Sequence, residues 1–354
     1  MSASVASRQA PQVSVERAGI QTSIQDGGRF GYQHLGVVPS GAMDMESMLL
    51  ANALVGNTPD EATLEMALQG PTLRFACEAL IALAGASFGI RATHGQSVAL
   101  LLPNRPILLA AGTQVSFGHA PDGARAYLAV AGGFDVPSIL GSRCTYIPAG
   151  FGGHNGRALK KGDALALPLQ ASTLARARFN TLQKKNVGVV CHGSAATTVR
   201  WSVRTRSLPE DEVTVVRFIN GHHRPLFTAQ ALHAFEFSTY RISADSNRMG
   251  YRLIGPRLER ADSRDILSEP TNLGTVQVPA DGAPIVLMAD HQTTGGYAKI
   301  AEIASADIPR LAQLQPGQEV RFAPCSLAQA LALARAARNA LASKTDVLSW
   351  QYQA

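Results

Sequence analysis

Residues 79–111 read ALIALAGASFGIRATHGQSVALLLPNRPILLAA, and this stretch decides the fold class. It holds three short apolar runs, 79–84, 98–102 and 107–111, separated by Gly, Pro and Asn. Runs of this length bounded by turn residues are too short for core helices and read as strands. Working outward, residues 126–133 form another apolar run of buried-strand type, and Val13 and Val15 alternate with Ser14 and Glu16 in an opening strand that ends at Gly19. With Gly 32, Pro 19 and only 16% charged residues in a chain of 354, the composition points the same way: many turns joining short strands.

Helices are the exception. Met45, Met48, Leu49 and Leu54 keep helical spacing, Asp44 suits the N-cap and Gly56 the C-terminal stop. A second helix, rich in Ala and Leu, starts at Ser326 and runs to about Ala342. Residues 141–163 carry enough glycine to read as an extended loop closed by a Gly162-Asp163 turn. The polar interval 171–186, with Arg176, Arg178, Lys184 and Lys185, reads as a linker. The expected organisation is a flexible N-terminus 1–12, a β lobe 13–170, the linker, a second β lobe 187–323, and a C-terminal helix and tail 324–354.

Several function classes are excluded or disfavoured by composition. The formal net charge is +6, but the 32 Lys and Arg are spread along the chain with no basic stripe and no recognition motif, so no nucleic-acid partner is expected. The four cysteines form no C-x-x-C pair and read as reduced thiols. No apolar leader and no run of eighteen uncharged apolar residues is present, so no membrane partner and a cytoplasmic location are expected. His222 and His223 are adjacent, and on an extended segment they would point to opposite faces, so no metal site is expected.

Three segments concentrate chemistry. In the first, Gln25-Asp26-Gly27-Gly28-Arg29 is followed by Ser40-Gly41 at the start of the first helix. Glycine amides and a helix N-terminus suit an anion, with Arg29 gripping a carboxylate and Asp26 orienting it; a structural turn with a buried Asp–Arg pair fits the spacing equally well. In the second, Asn247-Arg248-Met249-Gly250-Tyr251-Arg252, two arginines around a glycine suit an oxyanion, or lie exposed on a loop, and Gln277 downstream could line the same cavity. The third, Asp290-His291-Gln292-Thr293-Thr294-Gly295-Gly296-Tyr297, follows an apolar strand, and Asp290 is a candidate proton acceptor or a turn anchor. Gly85-Ala86-Ser87-Phe88-Gly89 matches a nucleophile elbow, but Arg91 to Gly95 break the helix such an elbow needs, which leaves a turn between strands. No Walker A loop is present.

In this order the three segments, together with Ala51-Asn52, Asn57, Glu65, Gly70-Pro71, Gly141-Ser142-Arg143, Gly152-Gly153 and Gln277-Val278-Pro279, resemble the allophanate hydrolase subunit 2 family, also described as carboxyltransferase-domain or urea-amidolyase-related. The resemblance runs from about Gly19 to Phe322 and departs from the family's Gly-Pro-Gln turn at Asn220-Gly221-His222-His223-Arg224. It implies a mostly β chain with a few helices, built as tandem cyclophilin-like β-barrel domains. It also implies a C-type subunit of a bacterial 5-oxoprolinase, in which ATP hydrolysis, with magnesium, drives opening of 5-oxoproline to glutamate. A B-type companion would complete the site, a third subunit would handle the lactam, and the chain alone would be inactive. On this resemblance Asp290, Arg248 and Arg29 are the candidate catalytic residues. Gln25, Asp26, Gly27, Gly28, Ser40, Asn247, Arg252, Gln277, Thr293, Thr294, Gly295 and Gly296 are the candidate substrate- and anion-binding ones. The same scaffold also implies two alternatives, a KipA-type binding protein that sequesters a kinase inhibitor, or a carboxyltransferase component; the chain carries no biotin-bearing Met-Lys-Met segment.

Overall fold

The computed structural model describes residues 11–169, 171–184, 189–205, 213–262 and 266–351. The chain is mostly β, with five α-helices among these residues: α1 Met45–Val55, α2 Thr173–Gln183, α3 Ala229–Phe237, α4 Ile308–Ala312 and α5 Leu327–Gln351. The run 79–111 does form strands, Ala79–Gly85, Ile90–His94, Ser97–Leu101 and Pro106–Leu109, and Ser87 sits in the turn between the first two with no helix after it.

The N-terminal lobe holds its core between two sheets. One runs in the order Ala164–Ala166, Gln12–Arg17, Thr72–Phe75, Gln114–Phe117, Ile90–His94, Ser97–Leu101. The other runs Val189–His192, Ala196–Val199, Pro106–Leu109, Ala79–Gly85, Arg125–Val130, Thr63–Ala67, Gln21–Gln25. The central strand Ala79–Gly85 is apolar on both faces because both are covered: Ile81 and Leu83 enter the core between the sheets, while Leu80, Ala82 and Ala84 pack under α1. Both caps of α1 form as the sequence implies: the Asp44 carboxylate accepts from Ser47 N–H at 3.0 Å, and Gly56 turns left-handed at φ 80°. α5 continues beyond Ala342 to Gln351, laid against α1 with Lys344 Nζ 3.0 Å from Glu46.

Three expected boundaries move. The N-terminal strand starts at Gln12, paired with Ala166; most of the segment read as flexible lies outside the described residues. The interval read as a linker contains α2, capped by Ser172 and anchored by Ala175, Phe179 and Leu182, an apolar stripe of helical spacing that the surrounding basic residues hide. Strand Ala196–Val199 pairs onto Pro106–Leu109 and Val189–His192 onto Ala196–Val199, so the first lobe extends well past residue 187, and the first described strand of the second is Thr214–Asn220.

The C-terminal lobe is a closed seven-stranded barrel, in the order Thr214–Asn220, Ala298–Ile303, Thr275–Val278, Ile285–Leu287, Gly250–Ile254, Tyr240–Ile242, Glu319–Pro324. The parallel pairing of the last strand with the first closes it. Outside the barrel a short ribbon pairs Glu269–Pro270 with Thr294–Gly295. The lobes are tied together. Met43, 1% exposed, enters the barrel-side core from the loop before α1, and Gln313 takes the backbone N–H groups of Ala124 and Arg125, each at 3.0 Å, while donating to Asp44 at 2.7 Å.

Candidate functional site

The three chemistry-rich segments do converge, at the junction between the lobes. Arg248, from the turn before strand Gly250–Ile254, donates from Nε and Nη2 to the two Asp290 oxygens at 3.0 and 2.9 Å, from Nη2 to Gly41 O at 2.6 Å, and from Nη1 to Glu65 at 2.5 Å. Ser40 donates its hydroxyl to Asp290 Oδ1 at 2.6 Å, from a backbone held at φ 54°. Glu65, inside the buried strand Thr63–Ala67, also accepts from Met43 N–H at 2.9 Å and Tyr127 O–H at 2.7 Å, and lies 3.6 Å from Arg125. Two arginines therefore face two carboxylates with every partner 5% exposed or less. Burial on its own raises the Glu65 pKa, but the Arg248 and Arg125 charges and the two hydrogen bonds outweigh it and hold the group below the usual carboxylate value. Tyr127 is pushed well up by burial and by the neighbouring Glu65 and Asp44, so it keeps its proton and donates.

This arrangement clasps the lobes. Arg248 comes from the barrel and Glu65 from the sandwich, and both oxygens of Asp290 are taken by Arg248 and Ser40. The first segment is equally inward-turned. Arg29 is fully buried, donating to Ile139 O at 2.8 Å and Cys144 O at 3.1 Å with Phe151 beneath its guanidinium at 4.7 Å. Asp26 does not orient Arg29: its oxygens accept Gly28 N–H at 2.9 Å, Ser142 O–H at 2.7 Å and Arg143 N–H at 2.5 Å. Gln25, buried, donates to Ser23 and to Thr145 O. The glycines here serve a backbone crossing: a Cβ at Gly41 would meet Gly28 N and Cα at 2.8 Å, and both residues have positive φ. Gly27 precedes that crossing and is half-buried.

The residues that do line open space lie beside this clasp, on the barrel's outer wall. A groove of about 190 Å³ takes Asn247, Arg252, Gln277, Gln292 and Thr294 as its polar lining. Met249, Ile285 and Leu287 supply its apolar surface. Thr293, Gly295 and Gly296 flank it: Thr293 O accepts Thr271 N–H at 3.0 Å, and Gly295 belongs to the covering ribbon. Gln277 is 6% exposed, and its Nε2 has no hydrogen-bond partner. Gly295 of the ribbon lies directly over that nitrogen: a Cβ there would be 2.4 Å from it. An unpaired buried donor costs about 1–3 kcal/mol. The groove carries one cation and no carboxylate, and its volume is below the ~300 Å³ at the small end of ordinary ligand sites, so it does not fit a nucleoside triphosphate with magnesium.

One other polar cluster was not expected. His222, His223 and Glu269 bring their ligand-type atoms within 4.8 Å of one another, because residues 222–223 form a turn and not an extended segment, which brings the two ring centroids to 3.8 Å with the planes tilted by 42°. Glu269 is shared between His222 Nε2 at 2.8 Å and the buried Lys299 ammonium at 3.1 Å. His223 Nδ1 accepts Lys299 N–H at 3.2 Å, which leaves the proton on Nε2, facing Glu269. Burial first, then the neighbouring His222, lowers the His223 pKa. The geometry is that of a hydrogen-bonded ion cluster, with an ammonium already on the carboxylate a cation would need.

A β sandwich clasped to a closed β barrel, with a small amide-lined groove beside the clasp, defines a two-subdomain β protein. Residues 35–324 match the carboxyltransferase domain, subdomains A and B, and the chain belongs to that family. It is 38% identical to the C-type subunit of 5-oxoprolinase from Escherichia coli (strain K12), over 90% of this chain and 93% of that one. It is 31% identical to urea amidolyase of Saccharomyces cerevisiae over 89% of this chain, which spans only 17% of that larger protein. The crystal structure of Kluyveromyces lactis urea carboxylase superposes with a TM-score of 0.82 at 31% identity, covering 95% of this chain and 29% of that one. No helix among the described residues is long and apolar enough to cross a membrane.

Proposed function

We propose that this chain is the C-type subunit of a bacterial, ATP-dependent 5-oxoprolinase that opens the lactam of 5-oxoproline to glutamate together with a B-type subunit and a third, lactam-handling subunit in the cytoplasm. The observation that carries this reading is the near full-length likeness to the C-type subunit of a 5-oxoprolinase, 93% of whose length is matched. Likeness to the urea enzymes covers a small part of much longer chains. The groove's amides and its single cation suit a compact molecule with a carbonyl oxygen and a carboxylate. ATP supplies the energy that activates the stabilised amide, at a site shared with the partners; the outer-wall groove, at about 190 Å³, is too small to be that site. The chain contributes the groove and the clasp that fixes it.

The test is ATP consumption coupled to loss of substrate, with glutamate as the product followed for 5-oxoproline, by the purified chain alone, by the chain with its co-purified B-type partner, and by all three subunits, with 5-oxoproline, allophanate and urea as substrates. The expected result is no turnover alone and turnover of 5-oxoproline by the complete set. Turnover of allophanate or urea in place of 5-oxoproline sinks the assignment, as does full activity of the single chain.

A further inference from the structure

We propose that the cavity beside α1, at the junction of sandwich and barrel, binds a compact neutral α-amino acid as a zwitterion, with its carboxylate on Arg310 and its ammonium on Asp122. The cavity shares no lining residue with the clasp or with the outer-wall groove, and the proposal does not depend on the function proposed above.

Both lobes supply the walls. Arg310 stands on α4 of the barrel lobe, while Asp122 stands on the sandwich, in the loop before strand Arg125–Val130. Most of the charge between them is already used. Asp44 accepts from Ser47 N–H and O–H at 3.0 and 2.6 Å and from Gln313 Nε2 at 2.7 Å, and Glu46 is paired with Lys344 at 3.0 Å. Two opposite charges are left over. The Arg310 guanidinium makes no hydrogen bond or ion pair among the described residues, and only its Nε is closed off from solvent. Its Nη groups are therefore the accessible ones, on a half-buried residue that lines the cavity. The Asp122 carboxylate, also half-buried, takes a single hydrogen bond among the described residues, from Ser87 N–H at 3.4 Å. The two charges face one cavity and do not pair with each other.

That arrangement selects the ligand. An inorganic anion on Arg310 would stand against three carboxylates, Asp44, Glu46 and Asp122, and a metal ion on Asp122 would stand against a guanidinium. A zwitterion answers both free charges and adds no net charge. The planar fork of Arg310 suits a carboxylate bidentately. The volume of about 200 Å³, room for about six waters at about 30 Å³ each, keeps the ligand compact. Leu50, Ala86 and Pro309 offer an apolar wall to a small neutral side chain, whereas an acidic one would meet Glu46 and Asp44. Ser87, in the turn that mimics a nucleophile elbow, is then a wall residue that steadies Asp122.

The experiment is calorimetric titration of the full chain with L-alanine and L-valine, with propionate and isovalerate, which lack the ammonium, and with ethylamine and isobutylamine, which lack the carboxylate. Each amino acid is expected to bind more tightly than either of its counterparts, and to raise the melting temperature because it bridges the lobes. Arg310→Gln is expected to weaken the amino acids about tenfold or more and to leave the amines unchanged. Asp122→Asn is expected to weaken the amino acids by a similar factor without weakening the acids. Neither side chain holds an ion pair in the fold, so both variants should melt with the ligand-free parent; a clear fall in both would make the charges structural and overturn the proposal. Ser87→Leu, which fills the cavity, is expected to abolish binding; parent-like affinity in that variant would place the amino acid elsewhere and overturn the site. No binding of either amino acid by the parent, or parent-like affinity in both charge variants, also overturns it.

Discussion

Asp290→Asn separates a clasp from a catalytic acid. The substitution keeps the shape but sets an amide against Arg248 Nε or Nη2, where carboxylate oxygens now sit at 3.0 and 2.9 Å. It also turns a buried set of two cations and two anions into one with an uncompensated positive charge. Removing one partner of a buried ion pair costs about 3–5 kcal/mol, and with an unfolding entropy of about 0.7 kcal/mol/K for a chain of 354 residues the melting temperature should fall by roughly 4–7 °C. Ser40 keeps an acceptor, the Asn oxygen or Thr145 O, so the cost falls on the charge. Urea unfolding of parent, Asp290→Asn, Glu65→Gln and the double variant would give the coupling, which should be non-additive because both carboxylates share Arg248. If Asp290→Asn unfolds within about 0.5 kcal/mol of the parent, the size expected of a surface change, the clasp is refuted. A stable variant inactive in the assembled complex would then return Asp290 to the reacting centre.

Arg29→Met should destabilise by about 2–4 kcal/mol, since it strips the charged donor from two buried carbonyls, Ile139 O and Cys144 O, while the surviving folded protein retains the partner complex's turnover per molecule. A variant of normal stability with lost turnover would place the guanidinium on the substrate instead. The Glu65 clasp should also show in pH. Its folded pKa lies below the unfolded value, so its contribution is complete above the ordinary carboxylate value of about 4.3 and is lost as pH falls through the depressed one. The stability gap between parent and Glu65→Gln, measured by urea unfolding, is therefore expected to shrink as the solution is acidified below about pH 4; a gap constant down to about pH 2.5 would show that Glu65 is not the titrating partner.

The strands of residues 79–111 and the caps of α1 were legible because they depend on neighbours in sequence: turn residues bound the runs, and Asp44 and Gly56 act on their own helix. α2 was missed because its stripe of Ala175, Phe179 and Leu182 is thin beside its basic residues, and the lobe boundary because strand Ala196–Val199 pairs back to Pro106–Leu109, some ninety residues earlier. The site shows the same division. Gln277 was read as able to line one cavity with the segment of Asn247 and Arg252, and the three do border one groove, because their strands flank Ile285–Leu287 on one barrel wall; Thr294 joins them from the ribbon outside the barrel, which no spacing indicated.

Which polar residues were clasp and which were groove could not be read from their types. Arg248 and Arg252 lie four residues apart in one segment, yet one is 3% exposed between two carboxylates and the other is open to solvent. The difference is set by what the other lobe brings, Glu65 and Ser40, and no spacing within residues 247–252 carries that information. A signal did exist on the far side. Glu65 stands in Thr63–Ala67, a strand buried at every position, and Arg125 opens Arg125–Val130, buried likewise. A charge inside a run buried on both faces must find an opposite charge, and two such charges on adjacent strands, one acidic and one basic, already require each other. The pair alone is balanced, so the addition of Arg248 from the barrel demands a second carboxylate. Asp290, placed just beyond the strand that pairs with Gly250–Ile254, is positioned to supply it. On that charge count the fold itself requires the motif acid.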